Sequence, residues 1–505
     1  MSAAVGALDE LKRELGELKD LGRIAALLAW DQQVMMPPLG AAARADQLST
    51  LGRLMHERAT SPELGKLLDA AEPVAAGLDP DSDDARLVKV ARYEFEKEVK
   101  VPRDLRAAMT RSASESYPVW VEARRTSDFA SFQPYLEETL ELKRRYIECM
   151  APETEPYDAL LDEFEQGATA AEIRPIFARL KEVLIPLVRA VGSSGAVDDA
   201  PLRRRFPIAG LQQIEQQVLA RFGFDPDAFR LDPTVHPFET AIAISDIRLT
   251  TRYEVEGLES LFSSVHEFGH GLYERQIAPE LDSTMLARGA SLGWHESQSL
   301  LWENLIGRGL PFWERFAPEL VDVFPELGSL AAADIYAIVN NVHPDFIRVE
   351  ADETTYSLHV ILRFELEQEM LSGELALSEL PAAWNQRMHD YLGIEVPNDR
   401  LGVLQDVHWG IGSLGYFPTY SLGHLRASQL WQRISRELPD LPKEIGRGEF
   451  GSLREWLREN VHRHGMKFMP KELQERVLGG PIDPEPFLTR LREKLTGIYG
   501  QTLIP

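Results

Sequence analysis

Apolar residues recur three and four positions apart along most of this chain, and this helical period limits the fold more than any other sequence feature. Near the start the pattern runs through Leu8, Leu11, Leu15, Leu18 and Leu21. Such a stripe lets one face of a helix pack against a core. Proline and glycine interrupt the pattern, but no break is long enough for a linker and the composition does not shift. The sequence predicts one all-α domain over residues 1–505.

One segment departs from the helical period. From Ile247 to Tyr253, apolar and polar residues alternate and β-branched residues are frequent, which predicts a strand. Alternation would place the polar side chains on one face, namely Asp246, Arg248, Thr250 and Arg252. Helical spacing returns at once between Leu258 and Arg275. We therefore expect a small sheet directly before this helix.

The charge of the chain excludes two classes of partner. Lys and Arg number 54 against 80 Asp and Glu, so the formal net charge is −26. Nucleic acids and anionic membrane surfaces are bound by basic faces. We expect neither as a principal partner, and the chain has no apolar run of about 18 residues to span a bilayer.

Cysteine content bears on the cellular compartment. Cys149 is the only cysteine, so no disulfide can form within the chain. The stretch from Met1 to Lys12 lacks the basic-then-apolar pattern of a secretion signal. Together these features predict a cytoplasmic protein.

The helix after the predicted strand contains His266-Glu267-Phe268-Gly269-His270, an HExxH pattern. Two histidines four residues apart lie on the same helical face and can reach one metal ion, while Glu267 can touch a water at that ion. The alternative interpretation is a pair of hydrogen-bonded histidines without a metal.

A catalytic zinc site usually takes three protein ligands. Spacing alone does not select the third, because several residues lie within reach: Glu274, Glu280, Asp282, His295, Glu296 and Glu303. Glu296 is favoured because the apolar pattern between Ser291 and Leu305 predicts a second helix that holds it against the first. The alternative for Glu296 is an ion pair with an arginine, since an unpaired buried carboxylate is costly.

Several ordered motifs resemble those of one family. They are His236-Pro237-Phe238, Asp246-Ile247-Arg248-Leu249-Thr250, His266 to His270, His295-Glu296-Ser297-Gln298, Ile347-Arg348-Val349-Glu350-Ala351-Asp352, and Gly402-Val403-Leu404-Gln405-Asp406-Val407-His408-Trp409. Together they resemble the signature of the carboxypeptidase Taq family of metallocarboxypeptidases. Three further segments extend the resemblance over nearly the whole chain: Trp30-Asp31 with Met36-Pro37, residues 157–161, and residues 415–420.

The resemblance implies a mostly helical fold with a deep active-site groove, a small antiparallel sheet beside the HExxH helix, and a homodimer. It implies release of single residues from the free carboxyl ends of peptides. By position in the motifs, His266, His270 and Glu296 would be the metal ligands and Glu267 the catalytic base. Zinc suits this ligand set, and cobalt is a possible substitute.

Substrate contacts follow from the chemistry of peptide hydrolysis. The negative oxygen of the tetrahedral intermediate needs donors, and the matched motifs offer His236, His408, Tyr416 and Tyr420. Either tyrosine could instead be a packed core residue.

A carboxypeptidase must also bind the terminal carboxylate, which the planar fork of arginine does best. Arg348 is the first candidate and Arg248 the second. The alternative for Arg348 is an ion-pair cluster with Glu350, Asp352 and Glu353. For Arg248 the alternative is a bracing role beside Asp246.

Other motif residues are expected to act indirectly. Gln298, Gln405 and Asp406 fit supporting hydrogen-bonding roles, and His295 is predicted to be a structural hydrogen-bonding residue and not a ligand.

Two other functions stay open. The same ligands would serve an endo-acting or dipeptide-releasing zinc oligopeptidase of related helical fold. A helical scaffold without activity is disfavoured because Glu267 is intact.

Overall fold

The chain is described by a computed structural model that covers residues 2–192, 194–253 and 256–501. Within these ranges it contains twenty α-helices: α1 (Ser2–Val34), α2 (Ala41–Ala59), α3 (Pro62–Ala75), α4 (Asp83–Lys100), α5 (Arg103–Thr126), α6 (Phe129–Met150), α7 (Asp158–Leu161), α8 (Ala170–Val191), α9 (Ile208–Phe222), α10 (Glu259–Arg275), α11 (Leu292–Leu300), α12 (Leu310–Val323), α13 (Ala332–Val339), α14 (Glu353–Ser372), α15 (Leu380–Leu392), α16 (Pro418–Glu437), α17 (Leu441–Gly446), α18 (Gly451–Asn460), α19 (Pro470–Leu478) and α20 (Glu485–Tyr499). The all-α prediction is confirmed.

The chain also contains shorter helical segments of other types. A π-helix, Leu301–Gly307, continues directly from α11. The described ranges also contain 3₁₀ turns at Pro38–Gly40, Pro279–Leu281, Pro325–Leu327, Arg348–Glu350, Leu377–Glu379 and His462–His464.

Side-chain caps begin α11 and α14. The Ser291 side chain accepts a hydrogen bond from the Trp294 N–H and caps α11. Asp352 accepts from the N–H groups of Thr354 and Thr355 and caps α14, which stops at Gly373 in the left-handed conformation. Both helices thus start where a side chain satisfies otherwise unpaired backbone donors.

The predicted strand is β3 (Asp246–Thr251), the central strand of a three-stranded sheet. It pairs antiparallel with β2 (Glu239–Ala243) and parallel with β1 (Phe229–Pro233). The sheet is therefore mixed, where a purely antiparallel one was expected. The reason is chain direction: in an up–down–up path the first and third strands run the same way, and here they are neighbours.

Two compact units make up the fold. The first contains the described residues of 1–99, 200–336 and 430–479, and the second those of 100–199, 337–429 and 480–505. The first unit has an apolar core around Leu11, Leu68 and Leu286. The second has its own core around Leu136, Leu180 and Leu358. The single domain over 1–505 and the deep groove stay predictions.

A helix that crosses a bilayer must be both long and apolar. Within the described ranges, no helix combines the length and the hydropathy needed to cross a membrane.

Candidate metal centre

The two histidines of the HExxH pattern lie one turn apart on α10. The ring centroids of His266 and His270 are 4.9 Å apart. The i and i+4 positions of a helix share one face, so both rings point the same way from the axis. The predicted geometry of the pattern is therefore present.

Glu296 on α11 lies opposite these histidines. Its Oε2 atom is 3.8 Å from Nε2 of His266 and 3.4 Å from Nε2 of His270. One ligand atom from each of the three residues lies within 4.8 Å of the others. Among the described residues this is the group of side chains that could hold a metal ion, and we call it the ligand triad.

The donor set of the ligand triad suits a divalent transition metal. Two imidazole nitrogens and one carboxylate oxygen are ligands that zinc binds in catalytic sites with an open fourth position. Glu296 is buried, so without a cation nearby its charge would be expensive. The residues therefore fit a metal ion.

Two glycines allow the neighbouring elements to approach α10. A Cβ atom on Gly269 would lie 2.6 Å from the carbonyl oxygen of Gln298 and from Cα of Ser299. A Cβ atom on Gly271 would lie 2.7 Å from a side-chain carbon of Ile247 in β3. Only glycine fits so close to a neighbouring backbone, and this contact brings α11, with Glu296, up to the histidines.

The second nitrogen of His266 is held by Glu303. Nδ1 of His266 lies 2.9 Å from Oε2 of Glu303, whose other oxygen accepts a hydrogen bond from Arg308 at 3.1 Å. This carboxylate fixes the ring and leaves Nε2 facing the ligand triad. Glu303 was one of the candidate third ligands, and it contacts a histidine instead.

His270 is held through a second imidazole. Its Nδ1 lies 2.6 Å from Nδ1 of His295, and Nε2 of His295 lies 3.0 Å from Oε1 of Glu274. The same oxygen of Glu274 accepts a hydrogen bond from the Gly289 N–H at 2.9 Å. The predicted hydrogen-bonding character of His295 is confirmed, and Glu274 orients it.

Burial and carboxylates set the electrostatics of the site. Burial opposes the charged form of His266, but Glu296 and Glu303 outweigh it and raise the pKa of His266 to about 10. The same carboxylates would stabilise a bound cation. Burial, followed by the charge of His295, lowers the pKa of His270 to about 4, so this ring is neutral at pH 7.

The carboxyl group of Glu267, beside the ligand triad, has a raised pKa. Burial raises its pKa to about 7, the charge of His266 lowers it, and Glu296 and Glu303 raise it again. A base is most effective when its pKa lies near the working pH. The carboxyl group is thus able to take up and return a proton near neutral pH.

Gln298, two residues beyond Glu296 on α11, contacts a histidine from a distant part of the chain. Its Oε1 lies 2.8 Å from Nε2 of His462, and Nδ1 of His462 lies 2.7 Å from Oε1 of Gln276. The supporting role predicted for Gln298 matches this contact.

Arg348 belongs to the second unit and is buried there. Its Nε and one terminal nitrogen donate to Oδ1 of Asp406 at 3.2 and 3.0 Å, and its other terminal nitrogen donates to the Tyr356 hydroxyl at 2.7 Å. Asp406 is also held by Arg363 at 2.5 Å. The predicted alternative for Arg348 was an ion-pair cluster with its neighbours along the chain. It is wrong for Asp352, which caps α14, and for Glu353, which pairs with Arg490 and Lys494.

The aromatic candidates of the second unit form one cluster, which contacts Arg348 through Tyr420. The Tyr420 ring lies 4.7 Å from the guanidinium carbon, and the Tyr416 and Tyr420 rings are 5.3 Å apart. His408 packs on Tyr416 with centroids 5.2 Å apart. Burial, with help from Arg348, lowers the pKa of His408 to about 4 despite Asp406, so the ring is neutral at pH 7.

The other two candidates lie in the first unit. Arg248 donates to both carboxylate oxygens of Asp246, at 2.8 and 3.0 Å, and its guanidinium stacks 4.3 Å from the Trp30 ring. These contacts favour the bracing role. His236 is exposed in the loop before β2.

Three supporting residues were not singled out from the sequence as such. Glu303 and Glu274 entered only as possible ligands, although their spacing gave a signal: Glu303 is two helical turns beyond Glu296, and Glu274 one turn beyond His270. Nothing in the sequence indicated a role for Arg363, because it stands between apolar residues, Val360 to Leu362 and Phe364, that predict a core helix.

Comparison with known sequences identifies relatives along the whole chain. The family model for carboxypeptidase Taq (M32) metallopeptidase matches residues 10–495. Thermostable carboxypeptidase 1 of Thermus thermophilus is 42% identical over 509 residues and covers 99% of each chain. Carboxypeptidase 1 of Bacillus subtilis is 37% identical over 494 residues and covers 97% of each.

Solved structures give the same picture. The M32 carboxypeptidase of Deinococcus radiodurans R1 has a TM-score of 0.95 and 40% identity, covering 98% of this chain and 100% of that one. Metallocarboxypeptidase 1 of Trypanosoma cruzi has a TM-score of 0.92 and 32% identity, covering 97% and 99%.

Proposed function

Because this chain belongs to the carboxypeptidase Taq (M32) family of metallopeptidases, we propose that it releases single residues from the free carboxyl ends of peptides, with broad tolerance for the residue released. The observation that carries the proposal is the convergence of both Nε2 atoms of the HExxH histidines on one oxygen of Glu296. Peptide hydrolysis by a metallocarboxypeptidase follows from membership of the family.

Zinc is the proposed metal, with His266, His270 and Glu296 as its ligands, and cobalt as a possible substitute. Bound there, the ion would supply Lewis acidity for the scissile carbonyl and make water acidic enough to ionise near pH 7. The orienting contacts of His266 to Glu303 and of His270 to His295 support this ligand set.

Glu267 is the proposed general base. It accepts a proton from the attacking water and later donates the same proton to the leaving amine. Its burial, and the resulting pKa of about 7, support both steps at neutral pH.

Arg348 is the proposed clamp for the terminal carboxylate of the substrate. A guanidinium carries more N–H groups than the three bonds to Asp406 and Tyr356 use. Arg248 is the weaker second candidate, because two of its nitrogens already donate to the carboxylate of Asp246. His236, His408, Tyr416 and Tyr420 stay candidates for contacts to the substrate and its developing negative oxygen.

A homodimer and a cytoplasmic location complete the proposal. The dimer predicts a solution mass of twice 56.9 kDa, which sedimentation equilibrium would measure.

The deciding experiment hydrolyses one peptide in free-acid and amidated forms, using zinc-loaded wild type and Glu267→Gln, with products identified by mass. We expect sequential loss of single residues from the free acid alone, and none from the variant at equal zinc content. Internal cuts in both forms would favour the oligopeptidase. Absence of cleavage by zinc- and cobalt-loaded wild type would favour the scaffold.

Arg348→Ala separates the carboxypeptidase from the dipeptide-releasing and endo-acting alternatives. If Arg348 binds the terminal carboxylate, its loss should raise KM for the free acid far more than it lowers the rate of any internal cleavage. The conservative Arg348→Lys should recover part of the loss, because lysine keeps the charge without the fork. An unchanged KM in both variants would remove Arg348 from the substrate site.

A further inference from the structure

A carboxyl group lies in the interior of the second unit, on α14. Glu367 is fully buried and accepts three hydrogen bonds. The Tyr157 hydroxyl donates to Oε2 at 2.5 Å, the Gly415 N–H donates to the same oxygen at 2.8 Å, and the Trp409 indole N–H donates to Oε1 at 2.7 Å.

Two of these donors stand at the ends of one turn segment, residues 409–415. Trp409 begins the segment and directly follows His408. Gly415 ends it and directly precedes Tyr416. The two oxygens of one carboxyl group therefore fasten both ends of the segment, each beside a proposed substrate-contacting side chain.

The third donor comes from the element on which this segment packs. Tyr157 directly precedes α7, and Leu160 in α7 touches Gly415 so closely that a Cβ atom there would lie 2.6 Å from its carbonyl carbon. Gly415 also has φ of +85°, a conformation that glycine adopts without strain. A side chain at this position would thus clash with α7 and strain the backbone, and Glu367 binds the N–H of the glycine that fits.

The same helix also holds Asp406, three residues before the segment. Arg363, one turn before Glu367 on α14, donates to Asp406 at 2.7 Å through Nε. Asp406 in turn binds Arg348. Arg363 and Glu367 therefore lie on one face of α14. This face holds Arg348 through Asp406, and it binds both ends of the 409–415 segment directly.

Stability alone does not account for an acid at this position. Burial raises the pKa of Glu367 to about 7, although its three donors lower it. A buried carboxyl group is costly, and the protein keeps one here together with three donors that would themselves be buried and unpaired without it. The group is better explained by what it holds in place.

We propose that Glu367 is a positioning residue for the carboxypeptidase reaction, fixing His408 and Tyr416 by binding both ends of the 409–415 segment. This inference rests on the proposed function, because it takes its importance from the roles of those two side chains.

Glu367→Gln is the principal test. The amide oxygen can replace Oε2 and keep the bonds from Tyr157 and Gly415, but the amide N–H₂ then faces the Trp409 N–H, donor against donor. We expect faster hydrogen exchange confined to residues 402–417, and a loss in kcat/KM of about ten- to a hundredfold. Zinc affinity should be unchanged.

Two further variants make the test specific. Trp409→Phe in the Gln background removes the opposing donor, so the double variant should recover part of the lost kcat/KM. Glu365→Gln on the same helix is the matched control, because it removes an ion pair with Lys181 that lies outside the segment. It should change neither exchange in 402–417 nor kcat/KM.

Tyr157→Phe keeps the carboxyl group and removes one donor, so it serves if the Gln variant does not fold; it should accelerate exchange in the same segment. Unchanged exchange in 402–417, or losses spread over the unit without recovery in the double variant, would overturn the inference. If wild type releases no carboxyl-terminal residues, the proposed function fails, while exchange still decides whether Glu367 holds the segment.

Discussion

At the scale of single residues, the two HExxH histidines are oriented by different partners. Glu303 binds His266 directly, whereas Glu274 acts on His270 through His295. In both cases Nδ1 is occupied, and Nε2 faces Glu296. A hydrogen bond at the far nitrogen fixes the tautomer and makes the ligand nitrogen more basic.

Metal affinity should therefore depend on Glu274. Glu274→Ala removes the acceptor of His295, and we expect zinc affinity to fall about 10- to 100-fold. Glu274→Gln should lose less, because the single oxygen Oε1 accepts both from His295 and from the Gly289 N–H, and an amide oxygen can do the same. Competition with a chromophoric chelator measures both. Equal zinc affinity in wild type and the Ala variant would contradict an effect of Glu274 on His270 through His295.

The sequence predicted the ligand triad better than its surroundings. Four-residue spacing is enough to place His266 and His270 together, because helix geometry is local. The choice of Glu296 over Glu303 or Glu274 depends on how α10 and α11 cross, which spacing does not encode. For this reason the three acids were predicted as alternative third ligands. In the structure Glu296 joins the ligand triad, while Glu303 and Glu274 contact histidines.

At the scale of elements, the close contact between α10 and α11 depends on Gly269. In Gly269→Ala the new methyl group would meet the backbone of Gln298 and Ser299, so α11 would have to move. Overpacking of this kind costs about 1–3 kcal/mol. We expect a lower Tm and weaker zinc binding, since Glu296 would move with the helix.

Gly446→Ala is the matched control for this substitution. Gly446 ends α17 in the same unit, and nothing lies within 4 Å of its added Cβ atom. This variant should keep the wild-type Tm and zinc affinity. A Gly269→Ala protein that behaves like it would show that α11 can adjust without moving Glu296.

A buried acid on α9 makes stability depend on pH. Burial raises the pKa of Glu215 from 4.5 to about 7, although the Tyr253 hydroxyl donates to it at 2.7 Å. Between these values the unfolded chain ionises and the folded protein does not, so folding stability falls as pH rises. Glu215→Gln lacks this loss, on the order of 3 kcal/mol at pH 8.

Thermal denaturation between pH 5 and pH 8 would measure this effect. The difference in Tm between Glu215→Gln and wild type should grow over that range and level off above it. A difference that does not change with pH would mean that Glu215 ionises in the folded protein much as it does in the unfolded chain.

Elements with a strong period were predicted, and those set by their neighbours were not. β3 alternates and was recognised, whereas β1 ends in a proline and β2 has no polar–apolar alternation in burial. The second predicted helix is present as α11, but it continues as a π-helix from Leu301. Nothing in the apolar spacing distinguishes that change in hydrogen bonding.

At the scale of the whole molecule, the net charge of −26 should affect how peptides arrive. A negative surface attracts cationic substrates at long range, and salt screens this attraction over about 10 Å at 0.1 M. We expect kcat/KM for a lysine-rich peptide to fall as salt rises, and for a glutamate-rich peptide to rise. Equal salt responses would mean that the surface charge does not reach the substrate site.

The path of the chain through its two units also determines when the metal centre can be completed in a cell. The first unit needs residues from three separate stretches, the last of them 430–479. His462, which holds Gln298 beside Glu296, is synthesised 164 residues after it. At ribosomal speed this is a delay of roughly ten to thirty seconds. A nascent chain thus exposes its histidines and carboxylates before the 430–479 stretch exists, and we expect stable binding of the metal ion only after that stretch has been translated.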